Sequence, residues 1–166
     1  MRAGVALGSN LGERLANLRN ARKDISGLAG VLPPVRSSAI YETDPVGCEK
    51  GAAKFLNAVI EFGYAGRADT LLRSLATIEK MLGRPGAHER NVSRTIDLDL
   101  LYFGETVIET GDLQLPHPRI LEREFVLRPL ADIRPDLILP EQTESVSALL
   151  FPFGFTAGVV RLDLEW

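Results

Sequence analysis

The chain has 166 residues, of which 45% are hydrophobic, and its formal net charge is −3 at pH 7. This length and apolar content are typical of one compact domain with a buried core. The acidic balance argues against a general nucleic-acid binder, no apolar run approaches the roughly 18 residues of a membrane span, and the single Cys48 cannot form an intrachain disulfide. We therefore expect a cytoplasmic protein with neither nucleic-acid nor membrane partners.

The first predicted elements are a strand and a helix. Gly4–Leu7 is a short apolar strand that ends at the triplet Gly8-Ser9-Asn10. Apolar residues then recur at helical spacing as far as Leu28, and Gly30, Pro33 and Pro34 are expected to end that segment. Asn10 is the predicted N-cap, with Glu13 three residues further on as in a capping box. Because a helix N-terminus can also bind an anion, the triplet has two interpretations, a helix cap and a phosphate site.

Two strands and a second helix follow. Ser37–Thr43 is rich in β-forming and hydroxyl residues, and Phe55–Phe62 alternates a mixed face with a wholly apolar one. The apolar stripe of Asp69–Leu82 predicts a helix that stops at Gly83. The next segment, GRPGAHERNVSR at 83–94, is charged and has no periodicity, which is typical of a loop.

The fourth predicted strand lies in residues 93–104, SRTIDLDLLYFG, and contains two carboxylates in apolar company. Because residues two apart share a face of a strand, Asp97 and Asp99 should project side by side, with Leu101 and Phe103 beyond them. The opposite face, toward the helices, is predicted to carry Ile96, Leu98, Leu100 and Tyr102.

The order β-α-β-β-α-β is typical of an α+β, ferredoxin-like sandwich in which two helices cover one face of an antiparallel sheet. A short return strand is predicted at Thr106–Ile108. The chain after about residue 110 is predicted to add Pro-rich loops, a short helix near Val146–Leu150 and a last strand at Val159–Leu164. Neither a linker nor a repeat is visible, so we expect a single domain over residues 1–166.

Cations surround the carboxylate pair along the sequence. Neighbouring carboxylates repel each other unless a cation intervenes, and their hard oxygen atoms suit Mg²⁺ that also binds phosphates. Arginines near such a site can stabilise the charge that develops in phosphoryl transfer. The alternative is a strand with a solvated face and surface ion pairs. The nearby basic residues are Arg84, His88, Arg90, Arg94, His117, Arg119 and Arg123.

Five ordered stretches carry a family resemblance: ALGSNLG at 6–12, SSAIYETDPVG at 37–47, FLNAVIE at 55–61, the run from Glu79 through RTIDLDLLYFG, and LPHPRILEREFVLRPLADIRPDL at 115–137. Together they resemble the 6-hydroxymethyl-7,8-dihydropterin pyrophosphokinases of folate synthesis. The resemblance implies a ferredoxin-like, Mg²⁺-dependent transferase. Such an enzyme moves a pyrophosphoryl group from ATP to the pterin hydroxymethyl oxygen and releases AMP.

The resemblance also implies roles for individual residues. Asp97 and Asp99 would hold two Mg²⁺ ions, and with Arg84 and Arg94 they would form the catalytic set. Phe55 and Phe125 would stack on the two faces of the pterin ring. The full pterin set is Thr43, Val46, Phe55, Asn57 and Phe125. The ATP-binding set is Glu79, Arg84, Arg94, Ile96, His117 and Arg123. The resemblance favours a monomer that acts on small molecules.

The charged loop departs from the family pattern. The family usually has Arg-Trp-x-Pro-Arg before the metal-binding strand, whereas this chain has Arg90-Asn91-Val92-Ser93-Arg94. The substitutions at Asn91 and Ser93 raise the alternative of a pterin- or nucleotide-binding homologue with impaired catalysis. A ferredoxin-like interaction domain with no small ligand is a third alternative, but it leaves the paired aspartates unexplained.

Overall fold

The computed structural model describes residues 1–45, 51–83, 93–154 and 158–166. The described elements are, in chain order, β1 (Arg2–Ser9), α1 (Arg14–Ser26), β2 (Val31–Ser37), β3 (Ile40–Thr43), β4 (Phe55–Tyr64), α2 (Ala68–Met81), β5 (Asp97–Phe103), β6 (Ile108–Glu109), β7 (Gln114–Leu115), α3 (Glu124–Ile133) and β8 (Val159–Leu162). Ile120–Glu122 and Ala148–Phe153 form 3-10 helices. Within these ranges, no helix combines the length and apolar character needed to cross a membrane.

The main sheet is antiparallel and is centred on β1 and β4. Its strands follow the order β5-β1-β4-β3-β8, and β2 also pairs with β4. The two central strands are buried over nearly their whole length because both of their faces are covered by helices. This arrangement agrees with the predicted α+β sandwich.

Each face of the main sheet has its own core. On one face, Leu18 and Ile25 of α1 and Leu71 and Leu75 of α2 pack against the sheet. On the other face, α3 packs against residues that include Val59, Leu101 and Tyr102. The wholly apolar face predicted for β4 does line the α1–α2 core, with Leu56, Ala58, Ile60 and Phe62 all buried there.

Helix α3 and strand β2 are among the elements that were not predicted. The sequence after residue 110 was interpreted as Pro-rich loops, yet α3 forms there with Pro129 inside it, because Val126, Leu127 and Leu130 bury its apolar side. Pro33 and Pro34 were expected to end a segment, but they lie within β2. The β2–β4 pairing shifts register between Leu32 and Arg36, which leaves the prolines outside the regular ladder.

A β-bulge changes the faces of β5. Val5 of β1 pairs with Leu100 and Gly4 pairs with Tyr102, so Leu101 is the additional residue. As a result, Tyr102 joins the α3-side core and Phe103 joins the α1–α2 core. The predicted faces of these two side chains are therefore wrong, because strict alternation holds only in an uninterrupted ladder.

The chain after β5 also differs from the prediction. The expected return strand at Thr106–Ile108 is absent among the described residues, and β6 pairs instead with β7 in a separate two-stranded sheet. The helix expected near Val146–Leu150 is the 3-10 helix Ala148–Phe153. The last strand, β8, ends at Leu162 and pairs with β3 at the sheet edge.

Candidate active site

The carboxylate pair lies at the start of β5. Asp97 is paired with Gly8 of β1 and Asp99 with Ala6, so the neighbouring strand has only small residues beside the pair. The Asp97 and Asp99 side chains are 25% and 30% exposed, whereas Leu98 between them is buried in the opposite core. As predicted, the two aspartates share one face.

Each carboxylate contacts an arginine from a different part of the chain. Arg94, just before β5, donates from Nη1 to Asp97 Oδ2 at 2.8 Å. Arg123, at the N-terminus of α3, donates from Nη1 to Asp99 Oδ2 at 2.6 Å. The positive charges offset the repulsion between the neighbouring carboxylates. Two predicted ATP-binding arginines are thus brought to the predicted metal-binding pair.

His117 lies beside Asp99. Its Nε2 is 3.9 Å from Asp99 Oδ2, and its Nδ1 accepts a hydrogen bond from the Arg119 main-chain N–H at 3.1 Å. The neutral ring therefore carries its proton on Nε2, which faces Asp99. Burial lowers the pKa of His117, and the Asp99 charge opposes that effect.

The side chains of Glu79 and Ile96 are both engaged within the protein, Glu79 in a hydrogen bond and Ile96 in the core. Glu79 Oε1 accepts a hydrogen bond from the main-chain N–H of Leu98 at 2.7 Å, which ties α2 to the strand between the two aspartates. The Ile96 side chain is fully buried in the α1–α2 core. A contact between Ile96 and ATP would therefore have to use its main chain.

The predicted pterin residues Thr43, Phe55 and Asn57 lie on the paired strands β3 and β4. Thr43 is opposite Phe55, and Asn57 Nδ2 donates to Thr43 Oγ1 at 2.7 Å in a buried contact. A Cβ added at Gly8 would lie 3.1 Å from Asn57 Oδ1, 3.8 Å from Phe55 Cδ1 and 3.9 Å from Asp97 Cβ. Gly8 therefore marks the point where the pterin residues meet the carboxylate pair.

Phe125 lies in the first turn of α3, and its ring centroid is 5.7 Å from the guanidinium carbon of Arg123. Because Arg123 also contacts Asp99, the second predicted stacking residue belongs to the same neighbourhood. The remaining predicted residues, Val46 and Arg84, lie outside the described residues.

A cavity of about 330 Å³ opens beside Asp99 and His117. The sequence interpretation missed its other walls, which include Leu72, Leu100, Leu113 and Gln114. Residues 110–114 had been interpreted only as loop, and their closeness to His117 in sequence was the one available signal. The cavity brings apolar walls next to charged groups, as is usual for small-molecule sites.

The donor set fits a hard divalent cation. Within the described ranges, no group of three or more His, Cys, Asp and Glu side chains could hold a metal ion. Asp97 and Asp99 nevertheless offer two partly exposed carboxylates on one face. Two carboxylate ligands suit Mg²⁺, which usually keeps water and substrate phosphates as its other ligands.

Comparisons with known proteins identify the family of the chain. A sequence profile of the 7,8-dihydro-6-hydroxymethylpterin-pyrophosphokinase (HPPK) family matches residues 4–135. The chain is 46% identical over 129 residues to a 2-amino-4-hydroxy-6-hydroxymethyldihydropteridine pyrophosphokinase of Bacillus subtilis, covering 78% of this chain and 75% of that protein. It is 33% identical over 153 residues to the Synechocystis protein of the same name, covering 92% and 76%.

Longer proteins also match. The Folic acid synthesis protein fol1 of Pneumocystis carinii is 38% identical over 144 residues, which cover 87% of this chain but only 19% of that protein. Wild-type Plasmodium falciparum HPPK-DHPS superposes with a TM-score of 0.71 at 12% identity, over 92% of this chain and 44% of the other. The match in architecture confirms the predicted ferredoxin-like fold. On the family profile and these relatives, the chain belongs to the 7,8-dihydro-6-hydroxymethylpterin-pyrophosphokinase family.

Proposed function

We propose that this chain transfers the pyrophosphoryl group of ATP to the hydroxymethyl oxygen of 6-hydroxymethyl-7,8-dihydropterin, giving AMP and the pterin diphosphate for folate biosynthesis. The observation that carries the proposal is the meeting point at Gly8, where Asn57 and Phe55 on one side lie next to Asp97 on the other. A ring held by Asn57 and Phe55 would present its hydroxymethyl group to the carboxylate end of the site.

The pterin end of the site supplies shape and hydrogen bonds. Thr43 accepts one hydrogen bond from the Asn57 amide and so orients it, with Oδ1 toward Gly8. In this orientation Oδ1 can accept a hydrogen bond from a pterin N–H. Phe55 and Phe125 offer aromatic surfaces, and stacking on such a ring contributes about 0.5–1.5 kcal/mol beyond the burial of area.

The ATP end of the site combines the cavity with the basic residues. The cavity beside Asp99 and His117 has room and apolar walls for the nucleoside of ATP. From there, the phosphates would run along the carboxylate pair toward Gly8. His117 would remain neutral near pH 7, because burial lowers its pKa, and would donate from Nε2 to an oxygen of the nucleotide.

We infer that Asp97 and Asp99 hold Mg²⁺, with two ions as the family resemblance implies. When bound, such ions neutralise phosphate oxygens and favour ionisation of the attacking alcohol. Arg94 and Arg123 already contact the same carboxylates. Their guanidinium groups can therefore turn to phosphate oxygens over a short distance and stabilise the charge of the transferring group. Arg84 is expected to join them.

The direct test is to incubate the protein with ATP, Mg²⁺ and 6-hydroxymethyl-7,8-dihydropterin and to separate the nucleotides. We expect AMP in equal amount to the pterin diphosphate, and no AMP when Mg²⁺ is chelated. ADP as the product would contradict pyrophosphoryl transfer. The comparisons lend no support to the alternative of an impaired homologue, which calorimetry would favour only if both ligands bound without AMP formation.

Several sequence expectations remain predictions. They are the single domain over residues 1–166, the monomeric state, the cytoplasmic location and the absence of a nucleic-acid partner. Size-exclusion chromatography with light scattering would test the monomer directly, since a dimer would double the measured mass.

A further inference from the structure

The triplet Gly8-Ser9-Asn10 spans the end of β1 and the turn that follows it, and it is neither a helix cap nor a phosphate site. Helix α1 begins only at Arg14, and the position before it is Glu13, so the predicted N-cap at Asn10 is wrong. The main-chain N–H groups of Asn10 and Leu11 both donate to the Arg94 carbonyl, at 3.1 and 3.2 Å. These amides are therefore already engaged and do not form an anion site.

The turn holds the segment that enters β5. Ser9 Oγ donates to the Thr95 carbonyl at 2.6 Å, next to the contact of Asn10 with Arg94. Ser9 and Asn10 are buried, with exposed fractions of 0% and 1%. Hydrogen bonds in a buried position restrict the main chain more than exposed ones do, because water cannot replace them.

The Asn10 side chain joins three parts of the chain. Its Oδ1 accepts from the Arg94 main-chain N–H at 2.7 Å, while its Nδ2 donates to Ser93 Oγ at 2.9 Å and to the Ala53 carbonyl at 3.2 Å. Since the Arg94 N–H can only donate, the amide orientation is determined by the contacts. One acceptor and two donors are needed at this position, and an asparagine supplies both.

We propose that Asn10 is a positioning residue for Arg94 and that the Ser93 hydroxyl takes part in the same contact. This inference rests on the proposed function, in which Arg94 acts on phosphate. Both polar main-chain atoms of Arg94 are held by the turn, while its guanidinium contacts Asp97 at 2.8 Å. The turn thus determines the position of the Arg94 guanidinium relative to the Asp97 carboxylate.

Ser93 departs from the usual family pattern at this contact. The family resemblance places a proline here, and a proline would restrict the backbone through its ring. Ser93 restrains the same position through the hydrogen bond that its Oγ accepts from Asn10 Nδ2. Through Ala53, two residues before Phe55, the same amide also holds the segment that leads to the pterin side.

A double-mutant cycle of Asn10→Ala and Arg94→Ala tests the proposal. We expect Asn10→Ala to lower kcat for AMP formation about 30-fold, because a small displacement of a charged group in the site is costly. In the Arg94→Ala background, the same change should lower kcat less than about threefold, since the two residues act as one unit. Equal losses in both backgrounds would show a general structural role and overturn the proposal.

Ser93 supplies the milder variant. Ser93→Ala should lower kcat about fivefold, as expected for one neutral hydrogen bond, and Ser93→Thr should retain most of the activity because it keeps the hydroxyl. The matched control is Asn17→Ala, which removes another amide bonded to the same turn, at Ser9 Oγ and Leu11 O. It should lower the Tm and leave kcat within about twofold.

A readout that does not depend on activity separates this inference from the proposed function. Amide hydrogen exchange at Arg94 should become about tenfold faster or more in Asn10→Ala, and should change little in Asn17→Ala. If the wild-type protein forms no AMP, the proposed function fails while this comparison still decides the role of Asn10. An unchanged rate of amide exchange at Arg94 in Asn10→Ala would overturn the inference. If Asn10→Ala does not fold, kcat and the Arg94 exchange rate are measured on Ser93→Ala instead.

Discussion

Two carboxylate–arginine clusters lie on the same face of the main sheet, near opposite ends of β4. We call them the entrance cluster (Asp97, Asp99, Arg94 and Arg123) and the buried cluster (Glu61, Arg2, Arg134 and Tyr102). Helix α3 connects them, because Arg123 at its N-terminus contacts Asp99 and Arg134 at its C-terminus contacts Glu61. The two clusters have similar chemistry but different surroundings.

In the buried cluster, both carboxylate oxygens of Glu61 already accept hydrogen bonds from protein groups. The Glu61 side chain has no exposed surface and accepts hydrogen bonds from Arg2 Nη2 at 2.6 Å, from the Tyr102 hydroxyl at 2.8 Å and from Arg134. Tyr102 reaches it only because the facing residue is Gly4, where an added Cβ would lie 2.2 Å from the ring. Burial raises the pKa of Glu61, but the hydrogen bonds from Arg2 and Tyr102 and the arginine charges outweigh it, so that the pKa is lowered.

The entrance cluster keeps about a quarter of its carboxylate surface open, beside the small residues Gly8 and Ala6. A ligand can therefore reach these oxygens, whereas Glu61 offers no surface to one. An acid–arginine pair in this fold is therefore a candidate binding group where the neighbouring side chains are small and the carboxylate remains partly exposed. Where partners surround the carboxylate completely, its role is to hold elements together.

The largest expected effect separates the clusters by activity. Asp99→Asn should lower AMP formation about 10³-fold or more, since in the proposed function this carboxylate charge holds Mg²⁺. The Tm should move by only about 2 °C, because an ion pair that remains partly exposed contributes little to stability. Rates of AMP formation and thermal melting curves of the wild type and of Asp99→Asn measure the two effects. Near-normal turnover would show that the entrance cluster, like the buried one, is structural.

The next effect concerns stability. Glu61→Gln should lower the free energy of unfolding by about 2–3 kcal/mol, because it leaves arginines beside a neutral amide in a buried position. The kcat of the folded variant should stay within about twofold of the wild-type value. Urea unfolding and a rate assay at low temperature measure both quantities. A loss of kcat as large as that of Asp99→Asn would contradict a purely structural role for the buried cluster.

A smaller effect is expected at the pterin end. Thr43→Val should raise the KM for the pterin about five- to tenfold, because Asn57 Nδ2 loses its acceptor at Thr43 Oγ1 and the amide is no longer oriented. Thr43→Ser is the control, since it keeps the hydroxyl. The KM for ATP should change little in both variants. An equal rise of both KM values would indicate general loosening of the site.

The smallest effect is a pH dependence of stability. The pKa of Glu61 is lower in the folded protein than in the unfolded chain. In the unfolded chain the pKa of a glutamate is about 4.3. The contribution of Glu61 is therefore complete above that pH and is lost as the pH falls through the lower, folded-state pKa. Wild type should lose stability in acid more steeply than Glu61→Gln. Parallel stability curves below about pH 4.3 would contradict the low folded-state pKa.

Local patterns in the sequence were sufficient for several features. Apolar spacing predicted α1 and α2, and period-two alternation predicted both faces of β4 and the shared face of Asp97 and Asp99. Ordered motifs were sufficient to indicate the family. These features could be predicted because they depend on the backbone geometry of one segment and on which of its sides is apolar.

Other features depended on contacts between distant segments. The bulge at Leu101 turned Tyr102 toward Glu61, and the walls of the cavity at 110–114 became visible only when that loop lay beside Asp99. Asn10 had the sequence signature of a helix cap, yet it binds Arg94, 84 residues away. A residue pattern specifies the local conformation and the apolar face of a segment. The register of paired strands and the partner of a buried amide are decided only when separate segments pack together.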